Sequence, residues 1–203
     1  MTRDVPWVSW AIACLCATGY VLAHVVHWRV LEADQAAWRA MGSASAFVSP
    51  IFWLFAPVAT LLHTGLLHLA LNLWCLAMLG AYIERRAGSI AVFSLCLIGV
   101  YVAMGLEDLI GGVGRIGLSA VTYTLLGAGI SHWRDTARSP RRLYTAVTML
   151  ALLLLGGLKA IGLPPVIPEI AHVAHVSGLI AGLLIGPALN WDGTTGPEHS
   201  QLL

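Results

Sequence analysis

The stretch Ala174-His175-Val176-Ser177-Gly178-Leu179-Ile180-Ala181-Gly182-Leu183-Leu184-Ile185-Gly186 decides the architecture of this 203-residue chain. It is apolar throughout, and Gly178, Gly182 and Gly186 recur every fourth residue. At helical periodicity those glycines form a flat stripe on which a second helix can lie at close range. His175 is three residues before Gly178, so it belongs to the same face. A titratable group at the head of such a stripe has to meet whatever packs there.

The composition says where this packing takes place. The chain is 58% hydrophobic and 10% charged, with a mean hydropathy of +0.81. A soluble domain carries roughly a quarter charged residues, so this is an integral membrane protein, and the expected fold is an all-α polytopic bundle. Net charge is +1, which gives no basic surplus for nucleic acid. Six apolar segments of spanning character are predicted, near Trp7–Trp28, Pro57–Tyr82, Ile90–Leu109, Gly117–Trp133, Leu143–Ile161 and Ile170–Trp191. Residues 1–191 are read as one six-helix membrane domain, and the polar residues 192–203 as a disordered tail. The first segment is too long for a signal-peptide core and is read as a retained anchor. The loop between the first two segments, about Arg29 to Ala56, is rich in Trp and Phe, as at a membrane interface, and a half-inserted structure is expected there. Cys14, Cys16, Cys75 and Cys96 all lie in apolar runs and read as packing residues.

Cationic residues set the orientation. Arg3, Arg85, Arg86, Arg134, Arg138, Arg141 and Arg142 fall on one side, and Arg29, Arg39, Arg115 and Lys159 on the other, seven against four. Both termini are thereby expected in the cytoplasm of a multi-pass inner (plasma) membrane protein. Ser119 and His175 then lie at the extracytoplasmic ends of the fourth and sixth segments.

Polar side chains at membrane depth mark functional sites whose partners face one another. The fourth segment opens Gly117-Leu118-Ser119-Ala120-Val121-Thr122-Tyr123. Gly117 permits a tight turn. Ser119 stands among first-turn amides that carry partial positive charge and can hold an oxyanion. Tyr123, four residues on, covers the same face and can stack on an imidazole. The competing reading makes Ser119 a helix cap only. In the second segment, His68 and Asn72 lie one turn apart on one face. Both can donate to an oxyanion, or they can simply bond helix to helix. His175 can remove the proton from a serine hydroxyl and return it to a leaving amine. No carboxylate is placed by the sequence to orient it, because Glu107 and Asp108 read as loop residues. A Ser–His dyad is therefore expected, rather than a triad. His63, His68, His172 and His175 could in principle gather a metal, but no His-Glu-x-x-His string is present. No metal site is expected.

Taken together, these strings resemble the rhomboid family of intramembrane serine proteases, from His63 to Gly186. His63-x-x-x-x-His68-x-x-x-Asn72 is similar to the family's second-helix signature. Gly80-Ala81-Tyr82-Ile83-Glu84-Arg85-Arg86-Ala87-Gly88 resembles its polar turn. Gly117-Leu118-Ser119-Ala120 with Tyr123 resembles its nucleophile motif, and Ala174-His175-x-x-Gly178-x-x-x-Gly182 its base motif. The resemblance implies a six-helix core with Ser119 as nucleophile and His175 as base. It implies an oxyanion site of His68, Asn72 and the Ser119 amide, and Tyr123 stacked on His175. It further implies cleavage of single-pass membrane proteins in or near their transmembrane segment, with the lipid bilayer as the working medium and no cofactor. Three departures stand out. Phe52-Trp53-Leu54-Phe55-Ala56-Pro57 lacks the family's Trp-Arg pair, Ala120 replaces the usual glycine after the serine, and Ile116 precedes Gly117. Two other readings stand beside it: rhombosortase-like processing of carboxy-terminal anchors, and a non-catalytic rhomboid-like protein that binds membrane clients. A small transporter is disfavoured, because no charged group lies deep in these helices.

Overall fold

The computed structural model describes residues 5–26, 50–111, 116–132, 138–157 and 171–191. Most of the first loop and the tail beyond residue 191 lie outside the described residues. The described chain is helical: α1 (Trp7–Val26), α2 (Pro50–Leu61), α3 (Leu66–Ala87), α4 (Ser89–Ile110), α5 (Ser119–Ser131), α6 (Pro140–Gly157) and α7 (His172–Ile185). The stretches Trp7–His24, Leu66–Ala87 and Ser89–Ile110 are each long and apolar enough to cross a membrane unaided.

Two boundaries differ from expectation. The second predicted segment, Pro57–Tyr82, is two helices. α2 ends at Leu61, and α3 begins after Gly65, whose backbone is extended (φ −165°, ψ 160°). Pro57 sits inside α2 instead of opening a spanning helix. Only His63-Thr64-Gly65 separates the apolar flanks here, a gap too short for a hydropathy window to register. The string Gly80–Gly88 is not an open turn either. Residues Leu76–Gly80 form a π-helical stretch and Ala81–Ala87 continue as helix, which stops at Gly88 (φ 89°).

The core lies where α3, α4 and α5 meet. Leu76, Leu79 and Ile83 of α3, Val92 and Leu95 of α4, and Val121, Leu125 and Leu126 of α5 are fully or almost fully buried. Every residue of α5 from Ala120 to Gly129 is buried. A 13-residue helix enclosed in this way need not reach both membrane faces, because its neighbours shield it from lipid. α7 makes the most extensive contact with it. There the glycine stripe behaves as its spacing predicts. A Cβ on Gly182 would run into the Thr124 carbonyl and come within 2.8 Å of the Ala128 nitrogen, and one on Gly178 within 2.7 Å of the Ala120 carbonyl. Backbone touches backbone along this seam. Of the cysteines, Cys16, Cys75 and Cys96 are buried, Cys14 is exposed, and all are free thiols.

Polar clasps tie the remaining helices to this core. The buried Glu84 carboxylate of α3 accepts from the Val8 and Ser9 amides at 2.8 and 2.9 Å, the Ser9 hydroxyl at 2.7 Å and the Ser89 hydroxyl at 2.8 Å. It thus joins α1, α3 and α4 at one end of the bundle. Trp74 Nε1 donates to Thr145 Oγ1 at 2.9 Å and links α3 to α6.

Candidate active site

Ser119 is the first residue of α5. The chain reaches it through Gly117 at φ +118°. This is a backbone region where a side chain is strained, and a Cβ there would lie 2.5 Å from Cε1 of His68. Glycine is therefore required twice, for the turn and for the imidazole pressed against it. Two further bonds fix the approach. The Gly117 amide donates to the Ala59 carbonyl at 3.0 Å. The Leu118 amide donates to His63 Nε2 at 3.4 Å, while His63 Nδ1 bonds the Leu61 carbonyl at 3.1 Å. A carbonyl only accepts, so Nδ1 carries the hydrogen and Nε2 is left as the acceptor. His63 is fully buried and braces the turn. The sequence marks it only as a possible metal ligand or signature residue. Among the described residues no group of His, Cys, Asp and Glu is arranged to hold a metal.

The stripe on α7 carries His175 to this turn. His175 Nε2 lies 2.8 Å from Ser119 Oγ. The Tyr123 ring stacks on the imidazole, with centroids 4.3 Å apart and planes at 21°. Tyr123 is itself held by its hydroxyl, which donates to the Met149 carbonyl of α6 at 2.7 Å. His175 Nδ1 is buried and has no hydrogen-bond partner among the described residues. Packing, not a carboxylate, sets the ring plane.

Glu107 corrects the sequence reading. It is not in a free loop but in the helical continuation of α4, where it is buried. Its carboxylate accepts from the Ala174 amide at 2.9 Å, in the first turn of α7. A negative group at a helix start satisfies an orphan amide and complements the dipole. Glu107 therefore anchors the helix that bears His175 without touching the ring. No local pattern links Glu107 to Ala174, which lie 67 residues apart.

His68 and Asn72 flank the same turn from α3. Asn72 is buried, donates to the His68 carbonyl at 3.0 Å and accepts from Thr122 Oγ1 at 3.4 Å. Its amide has two hydrogens, and one remains to aim elsewhere. Thr122, given no role in the sequence reading, shares its single hydroxyl hydrogen with the Ser119 carbonyl at 2.9 Å. His68 Nδ1 lies 3.4 Å from Thr64 Oγ1. All six residues singled out from sequence thus collect around the start of α5: Ser119, His175, Tyr123, His68, Asn72 and Gly117. Chemically, the arrangement offers a hydroxyl in contact with an imidazole, beside first-turn amides and two side-chain donors.

The chain is similar to known proteins. The family model for the rhomboid domain matches residues 50–191. The chain is 33% identical over 129 residues to the rhomboid protease GlpG of Serratia proteamaculans, covering 61% of this chain and 44% of that protein. It is 29% identical over 196 residues to the rhomboid protease GlpG of Yersinia enterocolitica, covering 94% of this chain and 64% of that protein. It is 28% identical over 142 residues to RHOMBOID-like protein 7 of Arabidopsis thaliana, covering 64% and 43%. The matches therefore span between 43% and 64% of the length of these relatives.

Proposed function

This chain belongs to the rhomboid family, and from that premise we propose that it is an intramembrane serine endopeptidase acting through a Ser119–His175 dyad. The observation that carries the reading is the 2.8 Å approach of His175 Nε2 to Ser119 Oγ, within the hydrogen-bond reach expected of a nucleophile and its base.

His175 Nε2 takes the hydroxyl proton as Ser119 Oγ bonds to the scissile carbonyl carbon. The carbonyl oxygen becomes an oxyanion, received by the Ser119 amide with His68 and Asn72. The imidazolium then returns its proton to the leaving nitrogen, the C–N bond breaks, and an acyl-enzyme remains. Water, deprotonated by His175, attacks the ester. The second tetrahedral intermediate collapses, releasing the new carboxyl end and restoring the Ser119 hydroxyl. Stacking on Tyr123 keeps the ring in plane through both proton transfers, a role that an aspartate fills in a triad.

The substrates of this reading are single-pass membrane proteins, cut in or near their spanning segment. A substrate helix has to unwind before its carbonyl can reach Ser119. Gly, Pro or Ser near the scissile bond lowers that cost, because these residues weaken a helix. The site faces the extracytoplasmic side, with both termini in the cytoplasm of a bacterial inner membrane. In support, Arg85 lies about 26 Å along α3 from His68 at 1.5 Å per residue, so the arginine-rich end is the far end. Residues 1–191 act as one membrane domain with 192–203 as its tail.

The test is cleavage of a transmembrane reporter by the protein reconstituted in liposomes. Wild type is expected to cut it, and Ser119→Ala and His175→Ala are expected to fall to background. Undiminished cleavage by Ser119→Ala would refute the assignment. Reporter binding without cleavage in wild type would favour a client-binding protein.

A further inference from the structure

The helix that carries His175 begins without a cap of its own. The residue before α7 is Ala171, which makes no side-chain capping bond, and no acidic residue stands in the first turn. The opening amides of a helix have no partner within it, and a capping serine or aspartate would accept from the second or third of them. Ala174 is the third residue of α7. Its amide donates instead to the buried Glu107 carboxylate of α4, at 2.9 Å and from 67 residues away. A neighbouring helix thus supplies the cap, one position before the proposed base.

This bond fixes a coordinate that the rest of the packing leaves loose. Gly178, Gly182 and Gly186 let α7 lie against the backbone of α5, which sets how near the two helices come. A flat stripe repeating every fourth residue does much less to set how far α7 slides along its own axis. The contact with α4 is equally smooth, since Ala103, Ala171 and Ala174 present one methyl each, with Met104 beside them. Successive residues of a helix are about 1.5 Å apart along the axis, so even a one-residue slip would misplace His175 Nε2, which lies 2.8 Å from Ser119 Oγ. Misplacing a reacting group by about 1 Å can lower a rate about 10²-fold. A carboxylate among apolar helices is also expensive to desolvate, and ionisable groups at that depth mark functional positions.

We infer that Glu107 is a positioning residue for His175: its bond to the Ala174 amide locks the axial register of α7 and so holds Nε2 on Ser119 Oγ. The effect on turnover rests on the protease reading, whereas the lock itself does not.

Three variants separate the bond from the charge. Glu107→Ala removes the acceptor, and Glu107→Gln keeps an acceptor oxygen without the charge. Asp108→Asn changes the adjacent buried carboxylate, which is not the group bonded to Ala174. Each full-length protein is reconstituted in liposomes with the transmembrane reporter, and kcat and KM are measured below its thermal midpoint. Glu107→Ala is expected to lower kcat about 10²-fold with KM little changed. Glu107→Gln is expected to stand at least about tenfold above Glu107→Ala, because a neutral hydrogen bond remains, about half as strong. Asp108→Asn is expected to match wild type. A merely structural glutamate would reduce the amount of folded protein and leave kcat per folded molecule unchanged. Wild-type kcat in Glu107→Ala, a loss confined to KM, no rescue by Glu107→Gln, or an equal loss in Asp108→Asn overturns the inference. Should circular dichroism show that Glu107→Ala is misfolded, Glu107→Asp, one methylene shorter, decides. A lowered kcat at unchanged KM supports the lock, and a wild-type kcat overturns it.

Hydrogen–deuterium exchange read by mass spectrometry reports on the lock without any cleavage. Peptides covering the first turn of α7 are expected to exchange faster in Glu107→Ala than in wild type and Glu107→Gln. Equal exchange in all three overturns the lock. If wild type fails to cut the reporter, the protease reading falls, and this exchange alone decides the lock.

Discussion

At the residue scale, the proposed chemistry rests on few atoms. The Ser119 hydroxyl meets the His175 imidazole because Gly117 turns the chain at φ +118° and Tyr123 lies flat on the ring. Each of these residues was legible in the sequence, because each sits in a short pattern whose chemistry is local: a glycine before a helix, a serine at its start, an aromatic one turn on. His63 and Glu107 were not legible. Their partners, Leu118 and Ala174, are 55 and 67 residues away, and only the assembled bundle brings them together. Asn72 offers a prediction at this scale. Asn72→Ala removes one proposed oxyanion donor and is expected to lower kcat by about 10²–10³, with KM little changed. Steady-state cleavage of a reporter in liposomes measures both constants. An effect confined to KM would instead place Asn72 in substrate binding.

At the element scale, the Ser119–His175 contact is a consequence of how closely α5 and α7 approach. The glycine periodicity of α7 announced a tight helix pair from the sequence alone. The identity of the partner could only be inferred, and it is α5. Gly182 lies midway along the seam, where any side chain meets backbone atoms of Thr124 and Ala128. Gly182→Val is therefore expected to force the helices apart, to lower the thermal midpoint in detergent, and to abolish cleavage although no reacting group has changed. Overpacking of this kind costs about 1–3 kcal/mol. Retained activity with an unshifted midpoint would show that the seam is looser than described. The break between α2 and α3 marks the opposite case. Residues 63–65 are a short polar gap between apolar runs, and the cause of the interruption is tertiary: the chain there supplies the His63 ring, held by the Leu61 carbonyl, to the turn before Ser119. Hydropathy has no means of registering that demand.

At the scale of the whole molecule, apolar content placed the chain in a membrane as a helical bundle, but it could not say what holds the bundle together. Lipid tails are as apolar as leucine, so helix association depends on close packing and internal hydrogen bonds. Glu84 of α3 accepts four of these, from α1 and α4. The sequence showed it only as one residue of a polar string. Glu84→Ala leaves the Val8 and Ser9 amides and two hydroxyls without their acceptor. Bonds to a charged group are worth about 1.5–3 kcal/mol each, so α1 is expected to detach first. Limited proteolysis ahead of Trp7, compared between wild type and variant, reads this out. Equal protection in the two proteins would show that α1 is held by packing alone.

The central claim is that Ser119 is made nucleophilic by His175 at the meeting point of α5 and α7. Labelling with a fluorophosphonate probe in liposomes, with the modified residue mapped by peptide mass spectrometry, tests it most directly. Wild type is expected to carry the adduct on Ser119 alone, and both Ser119→Ala and His175→Ala are expected to remain unlabelled while keeping the wild-type helical content. Labelling of His175→Ala at the wild-type rate, or an adduct on a different serine, would contradict the account.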